Sequence, residues 1–478
     1  MDDRRVPRYE EIANRLGELI ASGAYKRGER LPSIRELSTS FHVSVNTCRE
    51  AYALLERRRL ARAVPQSGYF AEAADGILSV NVPDPVSMDP DQIGLCRIYS
   101  AMHDSGFSEE DGCGLAIATL SPDLLQFERL QRYAVDAVRL RPLDSFHYQM
   151  APGYAPLREQ VAILGMASGT RTHPDSLIIT SGCQESVYLA LSAVTSPGDT
   201  VAVESPIYFS ILGILESLRL KVLEIPCSPE EGMHLETLEF ALDRYRVSAV
   251  FTIANFHNPT GSVMSDERKE RLVRTLSRRE IPLIEDDIYG DLYYGPRCPS
   301  RPRTCKSFDE DGTVLYCSSF SKTLSPGLRV GWLEAGRWRE RAERLKNLIN
   351  LGAASIPQVT VALFLQDGGF ERHLRRVRSA LGAKVASLRS SVLAHFPVGT
   401  RVSDPSGGMV LWVELPDGIP SRELYRRGLE RKLMIAPGHV FGVQSRFDSS
   451  LRLNAGVWEP STDAKIKVLG EMAGEIRG

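Results

Sequence analysis

From about residue 111 to the C-terminus, short apolar runs alternate with stretches of helical periodicity, and this alternation leaves little choice of architecture. The runs Leu177-Ile178-Ile179-Thr180, Thr200–Val203, Ala249–Ile253, Pro282–Ile284 and Thr313–Cys317 read as strands, each followed by a helical stretch. Strands and helices in regular exchange predict an α/β layer on a mostly parallel sheet. No internal repeat and no low-complexity tract interrupts the pattern.

The first 72 residues follow a different rule. Ile12, Leu16, Leu19 and Ile20 recur at helical spacing between Arg8 and Ile20. Ser22-Gly23 stops that helix and Gly28 marks a turn. A second helix starts after Leu31-Pro32-Ser33, where Ser33 is placed to cap it and Glu36 to complete a capping box. Ile34, Leu37 and Phe41 share one face. After a turn at His42-Val43, Ser44 caps a third helix carrying Val45, Cys48, Tyr52 and Leu55. Two extended pieces, Leu60–Val64 and Tyr69–Glu72, are joined by Pro65-Gln66-Ser67-Gly68 and predict a hairpin. Residues 73–110, with Pro83, Pro85 and Pro90, read as a connector with room for a short helix at Ile98 to Met102. The expected division is therefore 1–72, 73–110 and 111–478.

Composition narrows the class. The chain is 43% hydrophobic and 25% charged, as in soluble globular proteins. It contains no run of about 18 uninterrupted apolar residues, and its N-terminus has no apolar leader core. No membrane association and a cytoplasmic location are expected. The eight cysteines (Cys48, Cys96, Cys113, Cys183, Cys227, Cys298, Cys305 and Cys317) form no CxxC pair, so neither a disulfide framework nor a metal site is expected. Residues 1–70 carry 13 Lys and Arg against 9 Asp and Glu, a net of +4 within a chain of net −2. A basic head on an acidic body suits nucleic-acid contact at the head.

A helix-turn-helix followed by a hairpin wing fits duplex DNA. The second helix of such a unit enters the major groove with its first residues facing base edges. Here those residues are Ser44, Asn46, Thr47 and Arg49. Asn and Arg read base edges in bidentate fashion, and Ser and Thr suit phosphates or bases. Arg35 is placed to reach the DNA backbone, and Gly68 lets the wing tip approach the minor groove. The stretch G-x-x-x-x-G-x-x-LPS-x-R-x-L matches from Gly23 to Leu37, and V-S-x-x-T-x-R-x-A from Val43 to Ala51. This head resembles the winged helix-turn-helix of the GntR family, with Cys48 where valine is usual.

The densest chemistry lies in Ser318 to Trp332, SSFSKTLSPGLRVGW. Lys322 sits in a turn beside Arg329, where an amine can be tuned to form a Schiff base. Ser319, Ser321 and Arg329 can hold a phosphate. Ile284 to Tyr289 ends a strand with acids. Asp286 is spaced to meet a protonated pyridine nitrogen, and Tyr289 to meet the ring's phenolic oxygen. Asn258, in Asn-Phe-His-Asn-Pro-Thr-Gly, can donate to that same oxygen. Gly182, Cys183 and Gln184 open a helix expected over Glu185–Ala193, and backbone N–H groups there suit a phosphate. Taken in order, these pieces resemble fold-type I enzymes dependent on pyridoxal 5'-phosphate, the aspartate aminotransferase superfamily. The resemblance implies that Lys322 carries the cofactor. It further implies that Tyr208 stacks on the ring, that Tyr148 reaches a neighbouring subunit's phosphate, and that Arg452 grips a substrate carboxylate. Arg452 lies between two leucines in a strand, where a guanidinium needs an anionic partner.

The two halves together resemble the MocR subfamily of GntR regulators. That resemblance implies a head-to-tail homodimer that reads a double-stranded DNA operator with paired half-sites. It also implies a small amine or amino-acid effector, sensed through external aldimine formation. The alternative is a working aminotransferase, using a 2-oxo acid acceptor, that happens to carry a DNA-binding head.

Overall fold

The computed structural model describes residues 7–21, 25, 28–41, 43–57, 60–64, 67–71, 113–416, 418–443 and 446–477. The expected connector 73–110 lies outside them, as do His42, Ser22-Gly23 and Pro65-Gln66 of the expected turns. The chain divides into two compact units, Met1–Ile77 and Leu78–Gly478.

In the first unit, helices α1 (Arg8–Ala21), α2 (Ile34–Phe41) and α3 (Val45–Arg57) precede strands β1 (Ala61–Val64) and β2 (Gly68–Ala71). The capping box forms as expected: the Glu36 N–H donates to Ser33 Oγ at 3.2 Å, and the Ser33 N–H donates to Glu36 at 2.7 Å. Ser44 Oγ accepts from the Thr47 N–H at 3.1 Å and starts α3. Ile12, Leu16, Leu37, Cys48, Tyr52 and Leu55 form the core, so the cysteine in the valine position is a packed thiol. Tyr52 stacks on Tyr69 at 4.0 Å and ties α3 to the wing. Two details differ from expectation. Val45 is exposed, because the face of α3 that meets the core begins at Cys48. Gly68 belongs to β2, paired with Val64; its φ of +102° lets the strand start directly from the bend.

The second unit is built on an eight-stranded sheet. Its strands are β3 (Leu177–Thr180), β4 (Thr200–Ser205), β5 (Lys221–Ser228), β6 (Gly232–Met233), β7 (Ala249–Thr252), β8 (Leu283–Asp286), β9 (Val314–Ser319) and β10 (Gly331–Glu334). Their spatial order is β3-β10-β9-β8-β7-β4-β5-β6. From β9 to β5 the neighbours are parallel. β10 enters antiparallel between β3 and β9. β3, β4, β7, β8, β9 and β10 are buried throughout, as strands covered by helices on both faces must be. The expected strands are all present, shifted by one or two residues at their ends. A second, antiparallel sheet follows, ordered β11 (Arg401–Val402), β12 (Val410–Glu414), β14 (Ser450–Asn454) and β13 (Ala436–Pro437). Among the described residues no helix is long and apolar enough to cross a membrane.

Candidate functional site

The parallel strands run in one direction, so their C-terminal ends gather the loops that follow β4, β7, β8 and β9. A cavity of about 250 Å³ opens there. Its wall includes Cys183, Gln184, Tyr208, Asn258, Asp286, Tyr289, Ser321, Lys322, Arg329 and Arg452. Residues as far apart in the chain as Cys183 and Arg452 thus meet in one space. Three of the expected residues are not in the wall. Ser319 is buried, and its Oγ accepts from the Ser321 N–H at 3.3 Å, fixing the turn behind the cavity. Gly182 stands behind Arg329. Tyr148 is 79% exposed, on the surface of this unit.

Lys322 follows β9 by three residues, and its Nζ donates to the Ala118 carbonyl. Loss of hydration in the cleft, helped by the positive charges of Arg452 and Arg329, lowers its amine to about 8. Asp286 ends β8, where burial pushes its carboxyl up to about 6 against the pull of its hydrogen-bond donors. Those donors are the Cys183 thiol at 3.2 Å and the Ile288 N–H at 3.1 Å. Cys183 therefore contributes its side chain as well as the backbone expected of it. The helix it opens, α4 (Cys183–Val194), starts two residues earlier than expected. Glu185 in its first turn accepts from the Ser181 N–H at 2.5 Å and is itself held by Lys346 at 2.8 Å.

The Arg329 guanidinium lies across the start of α4, donating to the Ser181 carbonyl at 2.8 Å and to Ser321 Oγ at 3.2 Å. A Cβ on Gly182 would stand 2.4 Å from that guanidinium, so only glycine leaves room for it. Arg329 itself holds a φ of +52°, a conformation rare for any residue other than glycine and found where a site fixes its geometry. Helix-start N–H groups, the Ser321 hydroxyl and an arginine form the donor set a phosphate needs.

Arg452 stands in the middle of β14, across from Trp412 of β12 and Ala436 of β13. It is buried, and burial lowers its basicity. It donates to Asn258 Oδ1 at 3.0 Å and to the Ala116 carbonyl, while its Nε meets no acceptor. Among the described residues no carboxylate pairs with it. A buried guanidinium supplied only with neutral acceptors is a seat for an anion. The Tyr289 hydroxyl is within reach of Asn258, and burial raises it above its ordinary value.

Sequence reasoning missed the segment Ala116-Ile117-Ala118 and the rings of Phe209 and Phe441. The first offers one carbonyl to Lys322 and one to Arg452. The rings stand 5.9 and 5.3 Å from the Arg452 guanidinium. It also missed a buried group below the Asn258 loop, where His257 Nε2 lies 3.3 Å from Glu204 in company with Cys227. Both Glu204 oxygens are already engaged, by the Thr252 hydroxyl and the Ile253 N–H, so this group braces the loop.

In the head, Arg35, Ser44, Asn46 and Arg49 are exposed and Thr47 is half-buried. Ser44 and Thr47 bond each other at 2.8 Å. Their hydroxyls are thus engaged at the helix start, while Asn46 and Arg49 are exposed beside them.

Residues 131–467 match the aminotransferase class I and II family, and residues 8–70 match the gntR family of bacterial regulatory proteins. The HTH-type transcriptional regulator YjiR of Escherichia coli is 35% identical over 95% of both chains, and YdcR of the same organism is 34% identical over 98% of this chain and 100% of its own. The chain belongs to the MocR-type regulators. Its regulator head and aminotransferase-like body are those of the family, whose cofactor is pyridoxal 5'-phosphate. The body of this MocR-type regulator is similar to the α-aminoadipate aminotransferase LysN of Thermus thermophilus, with a TM-score of 0.72 and 28% identity over 80% of this chain and 96% of that one.

Proposed function

We propose that this MocR-type regulator senses an amine or amino acid in its body and reports it through its DNA-binding head. The observation that carries the reading is the meeting of Lys322, Asp286 and Arg452 in one cavity beside a phosphate-type donor set. The residues fit the cofactor. Arg329, Ser321 and the start of α4 would hold its phosphate, with Ser319 and Gly182 shaping that cradle. Asp286 would face the ring nitrogen, Asn258 and Tyr289 the phenolic oxygen, and Tyr208 the ring face. When bound, pyridoxal phosphate supplies an aldehyde for amines and an electron-withdrawing ring.

The protein's own part is to bind and orient. Lys322, with its lowered basicity, releases its proton at about pH 8 and presents a free amine above that. Arg452 receives a carboxylate in place of the Ala116 carbonyl. A ligand shifts the regulator only by binding one arrangement of it more tightly than another. In the head, Asn46 and Arg49 would read base edges, with Arg35, Ser44, Thr47 and Gly68 near the backbone and the minor groove.

A homodimer completes the reading. Leu140, Leu143, Phe146, Tyr148 and Met150 are exposed in one stretch. Exposed Leu351 adjoins it, its carbonyl accepting from the Ala151 N–H at 3.0 Å. An apolar surface of this kind favours cover by a second copy. That copy would bring two heads to paired operator half-sites, as cytoplasmic regulators do.

The test is a visible-spectrum titration of the cofactor-loaded protein with amino acids and amines, repeated with labelled operator DNA. The reading predicts a compound that shifts the band, persists, and changes operator affinity. A band that is lost and returns only with a 2-oxo acid, with operator affinity unchanged, would instead make the chain a working aminotransferase.

A further inference from the structure

We infer that the compound recognised in this cavity is a small α-amino acid with an uncharged, apolar side chain. The inference rests on the sensing role proposed above and adds the chemical class of what is sensed.

Each charged side chain in the wall is turned to a task by its neighbours. Asp286 is bonded to the Cys183 thiol at the end of β8, and Arg329 is turned toward Ser181 and Ser321. Lys322 is the amine, and Arg452 the buried cation. Among the described residues no other Lys, Arg, Asp or Glu lines the cavity. Gln184, Asn258, Tyr289 and Ser321 stand where the cofactor would be held, and what remains is chiefly Ile117, Phe209, Ile211 and Ile253, with Tyr208 and Ser210.

A carboxylate seated at Arg452 fixes where the rest of the ligand goes. The guanidinium is flanked by Phe209 and Phe441, so the ligand's own side chain lies beside rings and branched aliphatic carbons. A second carboxylate or an ammonium brought there would lose its water and gain no partner. An amine without a carboxylate would leave the Arg452 Nε without an acceptor, as it is now. Size points the same way. At about 250 Å³ the cavity lies below the range of roughly 300–1,000 Å³ common for ligand sites. The cofactor must share it, so the side chain is short.

The experiment uses the cofactor-loaded full chain, titrated with L-alanine, L-valine, L-leucine, L-glutamate, L-lysine and isobutylamine, read by the visible band and by calorimetry. One of the three apolar amino acids should reach half-saturation at a concentration about tenfold or more below that of glutamate, lysine or the amine. Ile117, 41% exposed at the cavity mouth, offers a second variable. Ile117→Arg, with its own resting band as the check on folding and loading, should move the preference toward glutamate. Glutamate or lysine binding as tightly as the apolar compounds would overturn this inference and leave sensing intact, as would an Ile117→Arg protein with unchanged preference. A loaded protein whose band answers none of the six would remove the sensing role, and this inference with it.

Discussion

At Lys322 the pH dependence follows from one sign. Burial and two arginine charges favour the neutral amine, so its proton leaves at about pH 8 instead of about 10.4 as for an ordinary lysine. Below pH 8 the ammonium cannot attack an aldehyde; above it the amine can. Reloading of stripped protein with pyridoxal phosphate, followed by rapid mixing, should therefore quicken through about pH 8 and level off well before pH 10. Lys322→Ala should abolish the lysine-bound visible band, and a band that persists would place the attachment elsewhere. Arg49→Ala should weaken operator binding by about 1–3 kcal/mol and relax the preference at one base pair, measured by binding to a set of single-base operator variants. These residues were legible because each sits in a short stretch whose neighbours also carry the chemistry: Lys322 among serines and Arg329, Asp286 at the end of an apolar run. Phe209, Phe441 and Ala116 carried no such signal. A phenylalanine beside an arginine is made by packing, and a carbonyl is the same in every residue.

At the scale of elements, the caps were the most readable features. Ser33 with Glu36 and Ser44 with Thr47 are local arrangements, complete within four residues, and need nothing from the rest of the chain. Ser33→Ala should lower the stability of the head by about 0.5–2 kcal/mol, seen in denaturant unfolding of the full chain as an earlier transition of the head alone. The large sheet was legible for a related reason: strands covered on both faces are continuous apolar runs. The small sheet was not. β11 and β13 span two residues each, too short to leave a periodicity, and they exist because β12 and β14 offer them edges. The start of α4 was read two residues late because no capping side chain marks it: its N-cap is Gly182, with no side-chain cap bond. The Glu185 carboxylate, anchored by Lys346, secures that first turn.

For the whole molecule, the pairing of a DNA reader with an aminotransferase-like body was written in two separate motif sets, and their order along the chain sufficed. Operator binding should fall steeply with salt, with a logarithmic slope near −0.9 for each phosphate neutralised; a flat response would argue against direct contact with the duplex.

Two of the cavity's cations are already occupied. Lys322 and Arg452 each hold a backbone carbonyl, from Ala118 and Ala116, close to where the described body begins at Cys113. Capture of a ligand is thus an exchange, one acceptor leaving as another arrives. On the proposed reading the affinity is the difference between two bonds, which would make the site weak toward anything that offers less than a full carboxylate. Such an exchange also runs in both directions. If release of this stretch alters how tightly operator is held, operator must alter the hold on the ligand by the same factor, and the concentration at which the regulator answers is then set by the promoter it occupies.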